Sequence, residues 1–412
     1  GPGSATIEAL GDKLAARRLA ASVGVLSVPG TLEPLPVERP DEVDRILDVA
    51  AGIGFPIMVK AAAGGGGRGM RRVDRPEDLP AALAAGSAEA ASAFGDGSVY
   101  LERVIEPARH VEVQLLGDAE GNVVALGERD CSIQRRHQKL IEEAPAPGLG
   151  PDARRELHEM AVTLASAAGL RNAATCEFLF DGERFFFLEV NTRLQVEHGV
   201  TELVSGLDIV REQLWLAAGR PLSDEAHAAA TRAADPFGHA IEARIAAEDP
   251  GRGFTPTPGT VGAWLLPAGP GIRVDTALEA GDRVAPEYDN LIAKLMVHAG
   301  SRDAAIDRLA RALDELVVTG IQTTVPFDRF VCSEPDFRAG RLSTGYVEEH
   351  WDGAARRTNA ERVAQLAAGL DAIDRPIGPA SAGGPMPSPK APRRDAGWRR
   401  AGLVEGLEGW PR

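Results

Sequence analysis

The feature that most constrains this chain is the run Cys176-Glu177-Phe178-Leu179-Phe180-Asp181-Gly182-Glu183-Arg184-Phe185-Phe186-Phe187-Leu188-Glu189-Val190-Asn191. Two apolar segments flank an Asp-Gly turn signal, the pattern of paired antiparallel strands. Side chains alternate faces along a strand, so such a hairpin dictates which residues share a side. With an odd-numbered loop, cross-strand partners have numbers of equal parity, and Glu177, Glu189 and Asn191 project from one face. Two carboxylates there repel unless a cation lies between them, and hard oxygen donors next to phosphate suit Mg²⁺. The alternative is that both acids point to solvent.

A second constraint is Lys60-Ala61-Ala62-Ala63-Gly64-Gly65-Gly66-Gly67-Arg68-Gly69-Met70, directly after the apolar segment 56–59. Four consecutive glycines lose backbone entropy and bury nothing, so their use is conformational: several N–H groups can turn towards an anion. The lysine precedes the glycines and no Gly-Lys-Ser/Thr follows, which excludes a P-loop. A flexible hairpin tip is the alternative.

Downstream of the hairpin, Arg193 and Glu197 lie within Asn191-Thr192-Arg193-Leu194-Gln195-Val196-Glu197-His198. A planar guanidinium can hold a small oxyanion through paired hydrogen bonds while a neighbouring carboxylate removes its proton, although at i, i+4 the two could equally form a surface ion pair. Upstream, residues 128–139 concentrate cations, among them Arg135, Arg136, His137 and Lys139, in a chain of net charge -15 and pI near 5.1. They suit a phosphate or carbonate ligand, or form a solvated basic loop. The bulk negative charge speaks against nucleic acid and anionic lipid as partners.

The rest organises around these stretches. Helical spacing covers residues 5–23, with Lys13 inside it, and a small α/β unit follows to 104. Strand alternation begins near 106, with Val111, Val113 and Leu115 on a core face and His110, Glu112 and Gln114 on a polar one. Further strands are expected at 123–128, 175–180 and 184–190, and helices at 151–168, 208–218 and 303–318. A helix over 354–370 leads into a Pro, Gly, Ala and Ser-rich linker, 376–392. Three widely spaced cysteines without a C-x-x-C pair, no leader and no long apolar segment point to a cytoplasmic protein with no membrane span.

In this order, Gly11-Asp12-Lys13, the loop from Lys60, Glu128 to Lys139 continuing into Glu142-Glu143-Ala144-Pro145, Glu189 to Glu197, and Glu242-Ala243-Arg244 before Glu248-Asp249-Pro250 resemble the biotin carboxylases of the ATP-grasp superfamily. The resemblance implies an α+β, ATP-grasp fold: a helical entry segment (1–29), a small α/β lid (30–104), a larger mixed-sheet body (105–235), a biotin carboxylase C-terminal domain (236–352), and a helix, linker and tail (353–412). The family's N-terminal Rossmann-like domain would precede this chain.

It also implies ATP-dependent carboxylation of biotin by bicarbonate through carboxyphosphate, as the first half-reaction of an acyl-CoA carboxylase. Lys13 and Lys60 would contact ATP phosphates, with Gly65 and Gly66 closing over them. Glu102 would meet adenine, and His110, Gln134 and His137 would line the nucleotide. Glu177, Glu189 and Asn191 would hold Mg²⁺, with Mn²⁺ as the alternative ion. Lys139, Arg193, Gln195 and Val196 would position bicarbonate, Glu197 would deprotonate it, and Arg244 would stabilise carboxyphosphate and the biotin enolate. None of the five methionines sits in an Ala-Met-Lys-Met context, so biotin is expected from a carrier protein or a further segment. The other expected partner is a carboxyltransferase subunit, and homo-oligomers are admissible. Ala63 and Gly199 depart from the family pattern. At 199 proline is usual, which predicts a looser segment around Glu197.

Overall fold

The computed structural model describes residues 1–37, 42–63 and 70–374. Gly65 and Gly66, the 376–392 stretch and the tail at 398–403 lie outside the described residues. Gly1–Ala247 with Thr257–Trp351 forms one compact unit, and Glu248–Pro256 with the described chain from Asp352 to Asp374 belongs to a second.

The entry segment is two helices where one is expected: α1 (Ser4–Gly11) and α2 (Lys13–Ser22). Asp12 between them is extended, and its carboxylate accepts a 2.6 Å hydrogen bond from the Ala15 N–H. An aspartate with this geometry is an N-cap, so Gly11-Asp12 ends one helix and starts the next. Lys13 is thereby the first residue of α2.

The small unit is an antiparallel sheet in the order β2 (Arg71–Val73), β1 (Ile57–Ala61), β3 (Val99–Arg103). Ile57, Val59, Val73, Val99 and Leu101 form one core with Ile46 of α3 (Val43–Ile53) and Leu83 of α4 (Leu79–Phe94). Met58 and Lys60 therefore face the other way, and Glu102, opposite Met58 in register, shares their side.

The large sheet has eight antiparallel strands: Ile272–Asp275, Leu291–Ala299, β9 (His239–Ala246), β6 (Gln138–Ala144), β5 (Val123–Arg135), β4 (Arg109–Gly117), β7 (Asn172–Phe180) and β8 (Phe185–Asn191), in that order. Strands from either side of residue 236 are thus hydrogen-bonded neighbours, β6 beside β9. Val111, Val113, Leu115, Phe178 and Phe187 pack into a core with Leu157, Ala161 and Leu164 of α5 (Pro151–Ala167). The opposite, polar side of β4 is not solvated, since His110, Glu112 and Gln114 are all buried. Charge buried on that scale is stable only if paired, so this face must carry an ionic network.

Two corrections concern how the chain reaches that face. Residues 128–139 are not a loop: β5 runs unbroken to Arg135, and only Arg136 and His137, both with positive φ, turn the chain into β6. In the 176–191 hairpin, Phe180 pairs with Phe185 around a four-residue loop, which alone would put Glu177 and Glu189 on opposite faces. A register shift leaves Leu188 unpaired between Phe178↔Phe187 and Glu177↔Glu189. This β-bulge restores equal parity, so the acids share a face for a reason the loop length does not supply.

In the second unit, Glu248–Asp249 pairs with Thr255–Pro256, and Arg357 of the helix Gly353–Asp374 donates to Asp249 at 2.5 Å.

Candidate active site

Register places a row of ionisable groups across the buried polar face. Glu112 lies opposite Arg129 on one side and Glu177 on the other, and Glu177 lies opposite Glu189. Directly opposed like charges destabilise a strand pair, so each carboxylate needs a cation.

Lys139, from β6, supplies one to three acids at once: its Nζ lies 2.5 Å from Glu112 Oε2, 2.6 Å from Glu197 Oε1 and 3.2 Å from Glu177 Oε1. Arg129, fully buried, donates from Nε to Glu112 at 2.6 Å and spends its remaining donors on Gln114, Thr201, Thr175 and Gln195. His110 Nε2 stands 3.0 Å from Glu177 Oε2. The Glu177 carboxylate also accepts from Asn191 Nδ2 at 2.9 Å and Gln195 Nε2 at 2.8 Å. Burial alone would raise its pKa, but Lys139 and His110 hold it well below the carboxylate range. For His110, burial opposes protonation while Glu177 favours it, and the net direction is upward.

Glu197, at the N-terminus of α6 (His198–Ser205), is 2 % exposed and clamped between Lys139 and Arg244, whose Nη2 donates at 2.9 Å. Burial pushes its pKa up, but Lys139, Arg244 and Arg129 outweigh that and keep the carboxylate ionised. Arg244 also donates from Nε to Glu142 at 2.5 Å. Beneath the 193–197 segment, Lys294 Nζ donates to the Val196 carbonyl at 2.9 Å.

Other expected groups gather at the rim. Lys13 Nζ lies 3.3 Å from Glu189 Oε2, and Glu189 is the more accessible of the two hairpin acids. Lys60 pairs with Glu102, whose other oxygen accepts from Arg17 Nη1 at 2.7 Å. The Glu102 carboxylate is thus engaged by two cations inside the protein. Gln134 is buried directly opposite Lys139, while His137 is exposed at the turn.

Arg193 does not pair with Glu197. Its contacts are the Leu194 carbonyl at 3.2 Å and Asn191 Oδ1 at 3.4 Å, leaving it at the surface. Gln195 is buried, with its amide bridging Glu177 and Arg129.

Sequence reasoning missed Arg129, Glu112 and Arg17 as parts of this centre, and Glu142 as the anchor of Arg244 beside it. The polar side of β4 was the available signal for Glu112: an acid buried there requires a cation. Which cation depends on register with β5. Arg17 lies on the buried side of α2, a side shared with Leu14 and Ala20.

Comparison with known proteins gives two family models that match successive parts of the chain. Residues 12–225 match the ATP-binding domain of the carbamoyl-phosphate synthase L chain, and 242–349 match the biotin carboxylase C-terminal domain. Biotin carboxylase of Nostoc is 44 % identical over 350 residues, 85 % of this chain and 76 % of that protein. Biotin carboxylase of Pseudomonas aeruginosa is 44 % identical over 349 residues, again covering 85 % and 76 %. Among solved structures, biotin carboxylase of Campylobacter jejuni in a β,γ-ATP complex aligns with TM-score 0.80 at 42 % identity, covering 85 % of this chain and 76 % of that one. The biotin carboxylase domain dimer of Hydrogenobacter thermophilus 2-oxoglutarate carboxylase, bound to MgADP, ADP and bicarbonate, gives 0.80 at 42 %, with 85 % and 75 % covered.

Proposed function

The chain belongs to the biotin carboxylase family, and from that premise we propose how its residues divide the ATP-dependent carboxylation of biotin by bicarbonate, the first half-reaction of a biotin-dependent carboxylase. The observation that carries the reading is the clamp on Glu197, a buried ionised carboxylate held by Lys139 and Arg244. Carboxylate and cations together can accept a proton from bicarbonate and hold the resulting anion.

Lys13 and Lys60 meet the nucleotide phosphates, exchanging Glu189 and Glu102 for phosphate oxygens. Gly65 and Gly66 cover those phosphates, Glu102 and its neighbouring backbone meet adenine, and His110, Gln134 and His137 line the nucleotide. Glu177, Glu189 and the Asn191 amide oxygen are hard donors on one sheet face and would hold a Mg²⁺ or Mn²⁺ ion. Such an ion would supply charge neutralisation for the transferring phosphoryl group.

Lys139, Arg193, Gln195 and the Val196 backbone place bicarbonate. Its oxygen attacks the γ-phosphorus as ADP leaves, and Glu197 takes its proton. Carboxyphosphate then breaks into CO₂ and phosphate, the phosphate removes the ureido proton, and the biotin nitrogen attacks CO₂ with Arg244 facing the enolate. A carboxylate held this far down is a weak base while clamped. Entering anions compete for Lys139 and Arg244, which loosens the clamp and raises the affinity of Glu197 for a proton as substrate arrives.

Biotin arrives on a carrier protein or domain, and a carboxyltransferase subunit passes the carboxyl group to an acyl-CoA. The domain limits 1–29, 30–104, 105–235, 236–352 and 353–412 are part of the same proposal. The test is bicarbonate-dependent ATP hydrolysis and carboxylation of free biotin by the full-length protein. ATP hydrolysis indifferent to bicarbonate would overturn the reading.

A further inference from the structure

Two buried acids next to the centre have no assigned task. Glu142 on β6 and Glu242 on β9 are directly opposite in register, and both are fully buried. Glu142 Oε1 anchors Arg244 Nε at 2.5 Å, but among the described residues its Oε2 has no hydrogen-bond partner, and neither oxygen of Glu242 has one. On its other side Glu242 faces Met296, and Gly199 of α6 closes over it. Orphaned buried oxygens are costly, and two ionised carboxylates side by side more so. A single proton removes both costs: a protonated Glu242 can donate to the free oxygen of Glu142. The nearest cation is already shared, since Arg244 pairs with both Glu142 and Glu197, and among the described residues no ion pair reaches Glu242.

We propose that Glu142 and Glu242 form an acid dyad that positions Arg244, with neutral Glu242 donating to Glu142 and Glu142 holding the guanidinium against Glu197. The dyad rests on the functional reading above and adds a role that reading does not contain. The groups facing Glu142 are Arg244 and Glu242 from β9, Glu197 from the start of α6 and Lys139 from its own strand; those facing Glu242 are Glu142, Arg244, Glu197 and Lys294. Burial pushes the Glu142 pKa up to about 7, with Glu197 adding to it against Arg244 and Lys139. Burial, then Glu142, pushes Glu242 well above the carboxylate range. The proton therefore resides on Glu242, which forms no ion pair among the described residues. As pH rises through the dyad's upper value the proton leaves, the second charge draws Arg244 away from substrate, and turnover falls.

The experiment uses the full-length protein with four readouts: infrared carboxyl bands, thermal midpoint, KM for ATP and kcat for biotin carboxylation across pH. At neutral pH wild type should show a protonated-carboxyl band that Glu242→Gln removes. Glu242→Gln, whose amide still donates, should stay within about threefold of wild-type kcat and keep its activity to higher pH, whereas Glu242→Leu and Glu142→Gln should lose about tenfold or more with KM for ATP unchanged. If Glu142→Gln does not fold, the Glu242→Gln and Glu242→Leu pair carries the comparison. Absence of the band difference, or equal kcat and pH profiles for Gln and Leu at 242, overturns the dyad. Wild type without bicarbonate-dependent ATP hydrolysis would sink the functional reading instead, while the infrared result would still decide the proton's location.

Discussion

At the scale of single residues, the centre is a contest for a few cations. Glu189 pairs with Lys13 at 3.3 Å and, as the more accessible hairpin acid, has room to turn towards a metal. Glu189→Gln should therefore lower MgATP cleavage by about 100-fold or more while leaving the thermal midpoint within about 2 °C, because it removes the proposed metal ligand and only a partly exposed ion pair. Retained turnover at saturating Mg²⁺ would count against its role. Glu197→Gln separates binding from chemistry. The amide keeps the shape but cannot take a proton, so nucleotide affinity should persist while bicarbonate-dependent phosphate release disappears. Competition for Lys139 and Arg244 adds a pH signature. The acid limb of kcat, which reports the substrate-bound enzyme, should lie at higher pH than the limb of kcat/KM, which reports the free enzyme. Coincident limbs would mean that substrate does not loosen the clamp.

At the scale of elements, α6 and the bulge in β8 decide where the acids stand. Gly199, in the first turn of α6, predicts a looser segment from sequence, but the structure shows it buried, where an added Cβ would lie 2.2 Å from Met296 Sδ. Glycine is thus matched to the methionine beneath it. Gly199→Ala should destabilise the protein by about 1–3 kcal/mol through overpacking, partly offset by the better helix propensity of alanine. In a Met296→Ala background the same change should become neutral or stabilising. A double-mutant cycle by denaturant unfolding measures this, and additivity of the two changes would rule out the contact as the reason for glycine.

At the scale of the whole molecule, Glu143 ties the sheet to the helix Arg302–Glu315: His239 Nε2 lies 2.6 Å from its carboxylate and Arg302 donates to both oxygens at 2.7 and 2.9 Å. Burial raises its pKa, but hydrogen bonds from His239 and Arg302 bring it from 4.5 down to about 2. A depressed carboxylate contributes stability that is present above the unfolded value and is lost as pH falls towards the folded one. This group should therefore account for about 3 kcal/mol lost between about pH 4.5 and 2, visible as acid unfolding whose slope flattens in Glu143→Gln. An unchanged slope would show that other carboxylates dominate. Much of this molecule is legible from short-range pattern. Alternation located β4, β7 and β8, the Asp-Gly turn located the hairpin, and the order of charged motifs indicated the family. The break at Asp12 was also written locally, as an N-cap after a glycine. Charge partners were not legible, because Glu112, Lys139, Glu197 and Arg244 come from four separate segments and meet only when strand register brings them to one face. Even the shared face of Glu177 and Glu189 depends on one unpaired residue, Leu188. Periodicity and propensity act over a few residues and determined which segments became strands and helices. Partner choice among buried charges is set by non-local register and by the cost of leaving any charge unpaired away from water, and that only the tertiary structure decided.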